Sequence, residues 1–244
     1  MYDKIFHFYD LLHDEKDYEK ESEMIKEYVN LYSDFSKVKN ILDFGCGTCS
    51  HLHRIIGNKK AVGVDVSLEM LNIAKQKFIP NLSFRHGKLE TLNFEHNFDL
   101  CISMFNVINH IESLEELETI FKRISQVLNC DSLLIFDCIN AIAAFADKPR
   151  DREIFKKMNS KDEIKITSTC YTEFMNSKYI LKNKGTVAGQ TFIYELNQTL
   201  WTPKILKELL HKNNFDVIAI YKHFTFEHAT ERDYKIIFIA RKTL

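Results

Sequence analysis

Short apolar runs alternate with amphipathic stretches through the first half of the chain, and this alternation sets the expected fold. Met24, Ile25, Tyr28, Val29 and Tyr32 fall on one face of a helix within residues 1–35. The apolar run Asn40-Ile41-Leu42-Asp43-Phe44 reads as a first strand that enters Gly45-Cys46-Gly47. A helix through Leu52, Ile55 and Ile56 stops at Gly57, a residue common at helix ends. Ala61 to Asp65 is a second strand, and Ser67 caps a helix whose inner face is Met70, Leu71, Ala74 and Phe78. Leu82–Arg85 and Phe98–Ser103 are the third and fourth strands. Ser113 and Glu116 form a capping box before the stripe Leu117, Ile120, Phe121, Ile124 and Leu128, and Ser132–Cys138 is a fifth strand. Near-continuous apolar strands separated by amphipathic helices imply a parallel sheet covered on both faces.

The pattern changes from about Ile164 to Leu200, where strand-like runs follow one another without a helix. They predict an antiparallel meander inserted in, or laid over, the α/β core. Its edges need covering, so a homodimer through this layer is expected. Thr202-Pro203 then starts a helix carrying Ile205, Leu206, Leu209 and Leu210, and two closing strands follow at Phe215–Tyr221 and Tyr234–Ala240. No repeat or Pro/Gly-rich linker divides the sequence. One domain over 1–244 is therefore expected, with a helical segment at 1–35, a first α/β half at 36–140, the inserted layer at 164–200 and a closing unit at 201–244.

Composition narrows the function classes. The 244 residues hold 33 Lys and Arg against 34 Asp and Glu, a formal net charge of -1, which offers no overall field for nucleic acid. The N-terminus lacks the apolar core of a signal peptide, and the longest apolar stretch, Ser132–Ala146, is broken by Asp137 and Asn140 and is too short to span a bilayer. Six cysteines without a targeting segment fit a reduced, cytoplasmic protein.

The candidate chemistry sits at the strand ends. Ligands of open α/β sheets lie at the carboxyl ends of the strands, where strand order reverses. Gly45-Cys46-Gly47 lets the backbone turn tightly and lets a ligand lie against it. Asp65, 20 residues beyond Gly45, is placed to accept both hydroxyls of a ribose. Two features argue against a dinucleotide: Ser50 replaces the third glycine, and Asp43 precedes the first. A carboxylate there repels a pyrophosphate and suits a ligand with an ammonium group and no phosphate, such as S-adenosylmethionine.

The segments ILDFGCGTCSH, AVGVDVSLEML, FDLCISMFNVINHI and LWTPKILKELLHKNNFDVIAIY resemble the successive motifs of class I S-adenosylmethionine-dependent methyltransferases, from about Lys39 to Leu244. More narrowly, IFHFYDLLHDEKDYEKE resembles the subgroup of sugar-nucleotide N-methyltransferases and glycine-type N-methyltransferases. The resemblance implies a Rossmann-like doubly wound, mostly parallel sheet with an antiparallel last strand and the appended meander. It implies that Gly45 and Gly47 line the methionine part of the cofactor, Asp43 holds its ammonium, Asp65 its ribose and Met70 flanks the adenine. Lys88 stands where the family usually has an acid, leaving Leu89 to give a backbone contact and an apolar wall. Met104 presents a carbonyl to the ammonium. Tyr9 and Tyr18 belong to the segment that closes over acceptor and cofactor respectively, and S-adenosylhomocysteine is the implied product. His110, after the fourth strand, is placed to take a proton from the acceptor.

Each reading has a plainer rival. Cys46-x-x-Cys49 with His51 and His53 admits a redox or zinc reading, but no second ligand pair is visible and no metal is expected. His110 equally reads as a helix-approach residue bonded to backbone, and Tyr9 and Tyr18 as packing residues. Asp137 equally caps the turn after the fifth strand. The function expected is methyl transfer to an amine or hydroxyl of a small molecule, such as a sugar nucleotide or related metabolite. The alternatives are an inactive cofactor-binding or interaction protein on the same fold, or a protein or nucleic-acid methyltransferase.

Overall fold

The computed structural model describes residues 8–147, 149–157, 163–187 and 189–243. Residues 1–7 of the expected N-terminal segment, residue 188 of the inserted layer and residue 244 lie outside the described residues. In chain order, α1 (Tyr9–Leu12) and α2 (Tyr18–Tyr32) lead into β1 (Asn40–Phe44). Then come α3 (Leu52–Ile55), β2 (Lys60–Asp65), α4 (Leu68–Lys75), β3 (Leu82–His86) and β4 (Phe98–Ser103). They are followed by α5 (Leu114–Val127), β5 (Leu128–Ile139) and α6 (Ala141–Ala146). β6 (Arg152–Lys157), β7 (Glu163–Glu173), β8 (Lys178–Val187) and β9 (Gln190–Thr199) come next, before α7 (Pro203–Lys212), β10 (Phe215–Lys222) and β11 (Lys235–Lys242).

The main sheet has seven strands in the order β10-β11-β5-β4-β1-β2-β3. β1 to β5 are mutually parallel where they pair, and β11 runs antiparallel to both of its neighbours. This is the doubly wound sheet with an antiparallel last strand expected from the sequence. Its strand order reverses between β1 and β4, so the chain leaves these two strands in opposite directions and a crevice opens at their carboxyl ends.

Alternate residues feed two cores. Leu42, Cys101, Leu134, Phe136 and Phe238 pack with α5 and α7 on one face, while Ile41, Leu100, Ile102, Ile135 and Ile237 pack with α2 and α3 on the other. The caps fall where the hydroxyls are. Ser67, Ser113 and Thr202 each accept a backbone N–H from the first turn of the helix that follows. One expectation fails: Phe78 is not on the inner face of α4 but 88% exposed. The helix ends at Lys75, and Phe78 sits at φ +46°, which turns its side chain away from the sheet.

The inserted layer is a separate antiparallel sheet, β6-β7-β8-β9. It has one strand more than the sequence runs suggested. Arg152–Lys157 is so charged that its single apolar alternation, Ile154 and Phe155 on opposite faces, gives no clear signal.

Buried Asn109 joins this layer to the main sheet. Its Oδ1 accepts from Ile139 N (2.8 Å) at the end of β5, and its Nδ2 donates to Thr199 O (2.7 Å) at the end of β9. Trp201 Nε1 donates to Ile108 O (3.1 Å) in the same turn of helix. Asn109→Ala strands both partners in the interior, so it should lower the unfolding free energy by about 2–4 kcal/mol. Urea denaturation checks this, and a parental midpoint would show that the joint is not structural.

Candidate active-site cavity

A cavity of about 660 Å³ opens at the β1/β4 reversal, between the main sheet, the N-terminal helices and the inserted layer. All eleven sequence-derived site residues line it: Tyr9, Tyr18, Asp43, Gly45, Gly47, Asp65, Met70, Lys88, Leu89, Met104 and His110.

The turn after β1 is built by two left-handed glycines, Gly45 at φ +73° and Gly47 at φ +53°. A Cβ on Gly45 would lie 2.5 Å from Val107 Cγ1, whereas one on Gly47 would meet nothing within 4 Å. Gly45 therefore packs against the turn after β4, and Gly47 faces open space. Gly45 N and Cys46 N both donate to Val64 O, which folds the turn back over β2. Asp65 completes this with one N–H to each oxygen, from Gly47 N and Ser67 N at 2.8 Å each. Each oxygen keeps accepting capacity toward the cavity.

Asp43 is different. It is 4% exposed, and among the described residues no donor reaches its carboxyl. Burial, reinforced by the charge of Asp65, pushes its pKa up to about 8. An acid so placed binds either a proton or a cation.

Past β4 the chain turns through two left-handed residues, Phe105 (φ +74°) and Asn106 (φ +60°). Asp137, 1% exposed at the end of β5, holds this turn by accepting from Asn106 N (2.8 Å), and its other oxygen lies 3.2 Å from His223 Nε2. The His223 bond, the charges of Lys235 and His223 and the Asn106 N–H outweigh burial and lower its pKa, whereas that of Asp43 rises. Asn106 Oδ1 is buried at the cavity wall with no partner among the described residues. His110 follows on the tight helical turn Val107–His110. His110 lines the cavity, and Gln198 Nε2 donates to its Nε2 at 3.1 Å. That bond requires Nε2 unprotonated, and enclosure by the cavity walls lowers its pKa.

The N-terminal helices lie across the mouth. Asp10 accepts from Thr48 Oγ1 (2.5 Å) and pairs with Lys77 Nζ (3.0 Å), fastening α1 to the glycine turn. On the other side, Asp14 and Glu15 pair with Lys156 of β6 at 2.5 and 2.7 Å. Glu21 bonds His51 Nε2 (2.7 Å) and Lys16, whose ammonium lies over the rings of Tyr18 and Phe105. His13 packs edge-on to Tyr9 and Phe105. Burial, then the charges of Lys16 and Lys235, hold it neutral with a pKa of about 4.

The sequence did not single out His13, Asn106, Gln198, Arg152 or Lys235, and it left Asp137 undecided. Asp137 carried a legible signal, an acid at the carboxyl end of a central strand. The period-two alternation of β7, β8 and β9 was also legible, but not which face turns inward. Lys88, read as a cavity position, directs its ammonium to Glu116 (3.0 Å). Among the described residues no cluster of three or more His, Cys, Asp or Glu side chains has metal-site geometry, and no helix is long and apolar enough to cross a membrane.

Residues 41–131 match the model of a family described as a methyltransferase domain. A Geobacillus sp. (strain WCH70) protein whose name carries the word methyltransferase is 28% identical over 253 residues, 99% of each chain. The dTDP-3-amino-3,6-dideoxy-alpha-D-glucopyranose N,N-dimethyltransferase of Streptomyces fradiae is 28% identical over 137 residues, 55% of this chain and 52% of that protein. Among solved structures, an S-adenosylmethionine-dependent methyltransferase from Clostridium acetobutylicum superposes with a TM-score of 0.82 at 20% identity, covering 100% of this chain and 99% of that one.

The buried acid makes a prediction about the protein without ligand. A carboxyl whose folded pKa is about 8 holds a proton that the unfolded chain has already lost above its ordinary value of 3.8. The stability of the ligand-free protein therefore falls as pH rises from about 4 to about 8. Asp43→Asn should flatten that slope. Melting midpoints measured across this range test it, and equal slopes in the two proteins would acquit Asp43.

Proposed function

We propose that the chain is an S-adenosylmethionine-dependent methyltransferase that methylates an amine or hydroxyl of a small molecule, with a sugar nucleotide or related metabolite as the acceptor class, a reading supported by the matched methyltransferase-domain segment and the shared fold. The observation that carries this reading is the Asp43 carboxyl, buried without a donor beside a glycine turn that leaves room at Gly47. It is where an ammonium group would be held. The name of the Streptomyces fradiae relative supports an amino sugar as acceptor.

When bound, S-adenosylmethionine supplies an electrophilic methyl group on a sulfonium. Gly45, Gly47 and Met104 form the wall beside Asp43, Asp65 holds the ribose, and Met70 and Leu89 enclose the adenine between apolar surfaces. Lys88 borders that end, with its charge taken by Glu116. Tyr18 closes the cofactor side and Tyr9 the acceptor side. The transition state disperses charge, so these residues act mainly by alignment and by excluding water. His110 accepts the proton that an ammonium or hydroxyl acceptor must lose, at Nε2 in exchange for the N–H of Gln198. Assembly belongs to the same proposal. β6 and β9 are edge strands carrying exposed Phe155 and Ile193, which supports a homodimer through this layer. Sedimentation at micromolar concentration should give twice the chain mass, and a monomer would remove that part.

His110→Ala should lower turnover by about 10²-fold or more and leave cofactor affinity nearly unchanged. The neutral ring is the active form, and burial lowers its pKa below the ordinary 6.5. Turnover of the parent should therefore rise with pH through a midpoint under that value and then level off. A screen over amino sugars and hydroxylated metabolites, followed by a pH profile, checks both. If His110→Ala and His110→Asn kept parental turnover at every pH, alignment alone would suffice and His110 would leave the catalytic set.

A further inference from the structure

The inward face of the inserted sheet is ordered by its register. Ile154, Ile166, Gly185 and Phe192 lie opposite one another as one rung, and Leu181 opposite Leu196 belongs to another. Between these apolar rungs stands a polar one, Arg152, Ser168, Asn183 and Tyr194, each residue opposite the next across four strands. All four line the cavity. Ser168 Oγ donates to Asn183 Oδ1 (2.6 Å), and Asn183 Nδ2 makes a long bond to Leu181 O (3.5 Å), so the amide is fixed at both ends with one N–H left for the rung. From the main sheet, Lys235 enters the same space, with its ammonium 5.2 Å from the Phe105 ring centroid.

Charge is unbalanced here. Among the described residues neither Arg152 nor Lys235 has a carboxylate within 4.0 Å, although Lys156, Lys77 and Lys16 nearby are all paired. The two cations also act on each other. The charge of Arg152 reaches His13, Tyr179, Tyr234 and Lys235; burial lowers the Lys235 pKa, with the charge of Lys16 and then that of Arg152 acting in the same direction. Asp137 and Glu21 oppose this, but Asp137 is already bonded to Asn106 and His223. Arg152, exposed, and Lys235, half-buried, thus border one cavity as two cations without a carboxylate partner, a repulsion that water screens in part and that an anion between them would relieve.

We propose that Arg152, Lys235 and the Ser168–Asn183 pair form an oxyanion subsite, so that the acceptor carries a phosphate or carboxylate group away from the atom that is methylated. The cavity is then acidic at the glycine turn and basic under the inserted sheet. A doubly charged acceptor would be oriented by the two ends, with its reacting atom between them near His110. The guanidinium offers paired N–H donors to an oxyanion, and Lys235 adds a point charge. This rests on the methyl-transfer reading but makes a separate claim, because the subsite lies outside every residue assigned to the cofactor.

The test uses the full chain saturated with S-adenosylhomocysteine, titrated calorimetrically with inorganic pyrophosphate, thymidine diphosphate and glycine. At least one probe should bind with an affinity that falls as salt rises, and Arg152→Gln and Lys235→Gln should each weaken it by about tenfold or more. S-adenosylmethionine affinity should stay within about twofold in both variants, which also reports that they are folded. Tighter binding of the phosphate probes assigns a phosphorylated acceptor, and tighter binding of glycine assigns a carboxylate. If no probe binds the parent, or the variants bind as the parent does, the subsite is overturned. Failure of the parent to bind S-adenosylmethionine would instead remove the function reading.

Discussion

Asp43 and Asp65 end adjacent parallel strands, so the sheet drives two carboxylates into one crevice of low dielectric. They resolve the repulsion unequally. Asp65 takes two backbone N–H groups and uses them to lock the glycine turn, while Asp43 receives none. The remaining instability is a demand for a proton or a cation at a fixed point. The crevice is framed accordingly: Gly45 is held in a left-handed conformation against Val107, and Gly47 leaves the wall bare. A parallel sheet without the reversal between β1 and β4 would bury those acids with nowhere for a cation to enter.

The other walls are fastened to this frame by polar bonds as well as by apolar packing, with Leu11 and Leu12 against Ile164 and Ile166 and with Ile139 against Tyr179 and Leu200. Asp10 latches the N-terminal helices to the glycine turn, and Asp14 and Glu15 latch them to β6. Asn109 ties β5 and β9 to the turn that bears His110. Such ion pairs near the surface each contribute little to stability. They are suited to a cover that must release and close again, whereas the buried Asn109 joint is suited to a part that stays fixed.

Electrostatics also divides the chemistry within the cavity. Imidazoles at His13 and His110 are both held neutral, by burial and, for His13, by neighbouring lysines. A neutral ring adds no positive charge to the cavity, and the one basic nitrogen of His110 is engaged by Gln198. Asp137 plays a quieter part: its bond to Asn106 N stabilises consecutive left-handed residues that a free chain would avoid. Through that turn it sets where Met104, Phe105 and His110 stand.

The sequence by itself determined the doubly wound sheet, its caps and the acids and glycines that line the cavity at the strand ends. Those signals are local: apolar period, hydroxyls before helices, and acids and glycines at strand ends. It also held the strand character of residues 164–200, because alternation survives without knowledge of neighbours. It missed β6, whose charged residues hide its alternation, and it misplaced Phe78, because a helix one turn shorter than its pattern is decided by how the chain turns toward β3. Only the tertiary structure decided which face of the inserted sheet turns inward, that Arg152 and Lys235 meet from different sheets, and that Asp43 lacks a donor where Asp137 has two. A carboxylate or a lysine has the same letter whether paired or alone, and its chemistry follows from partners that lie far away in the chain and close in space.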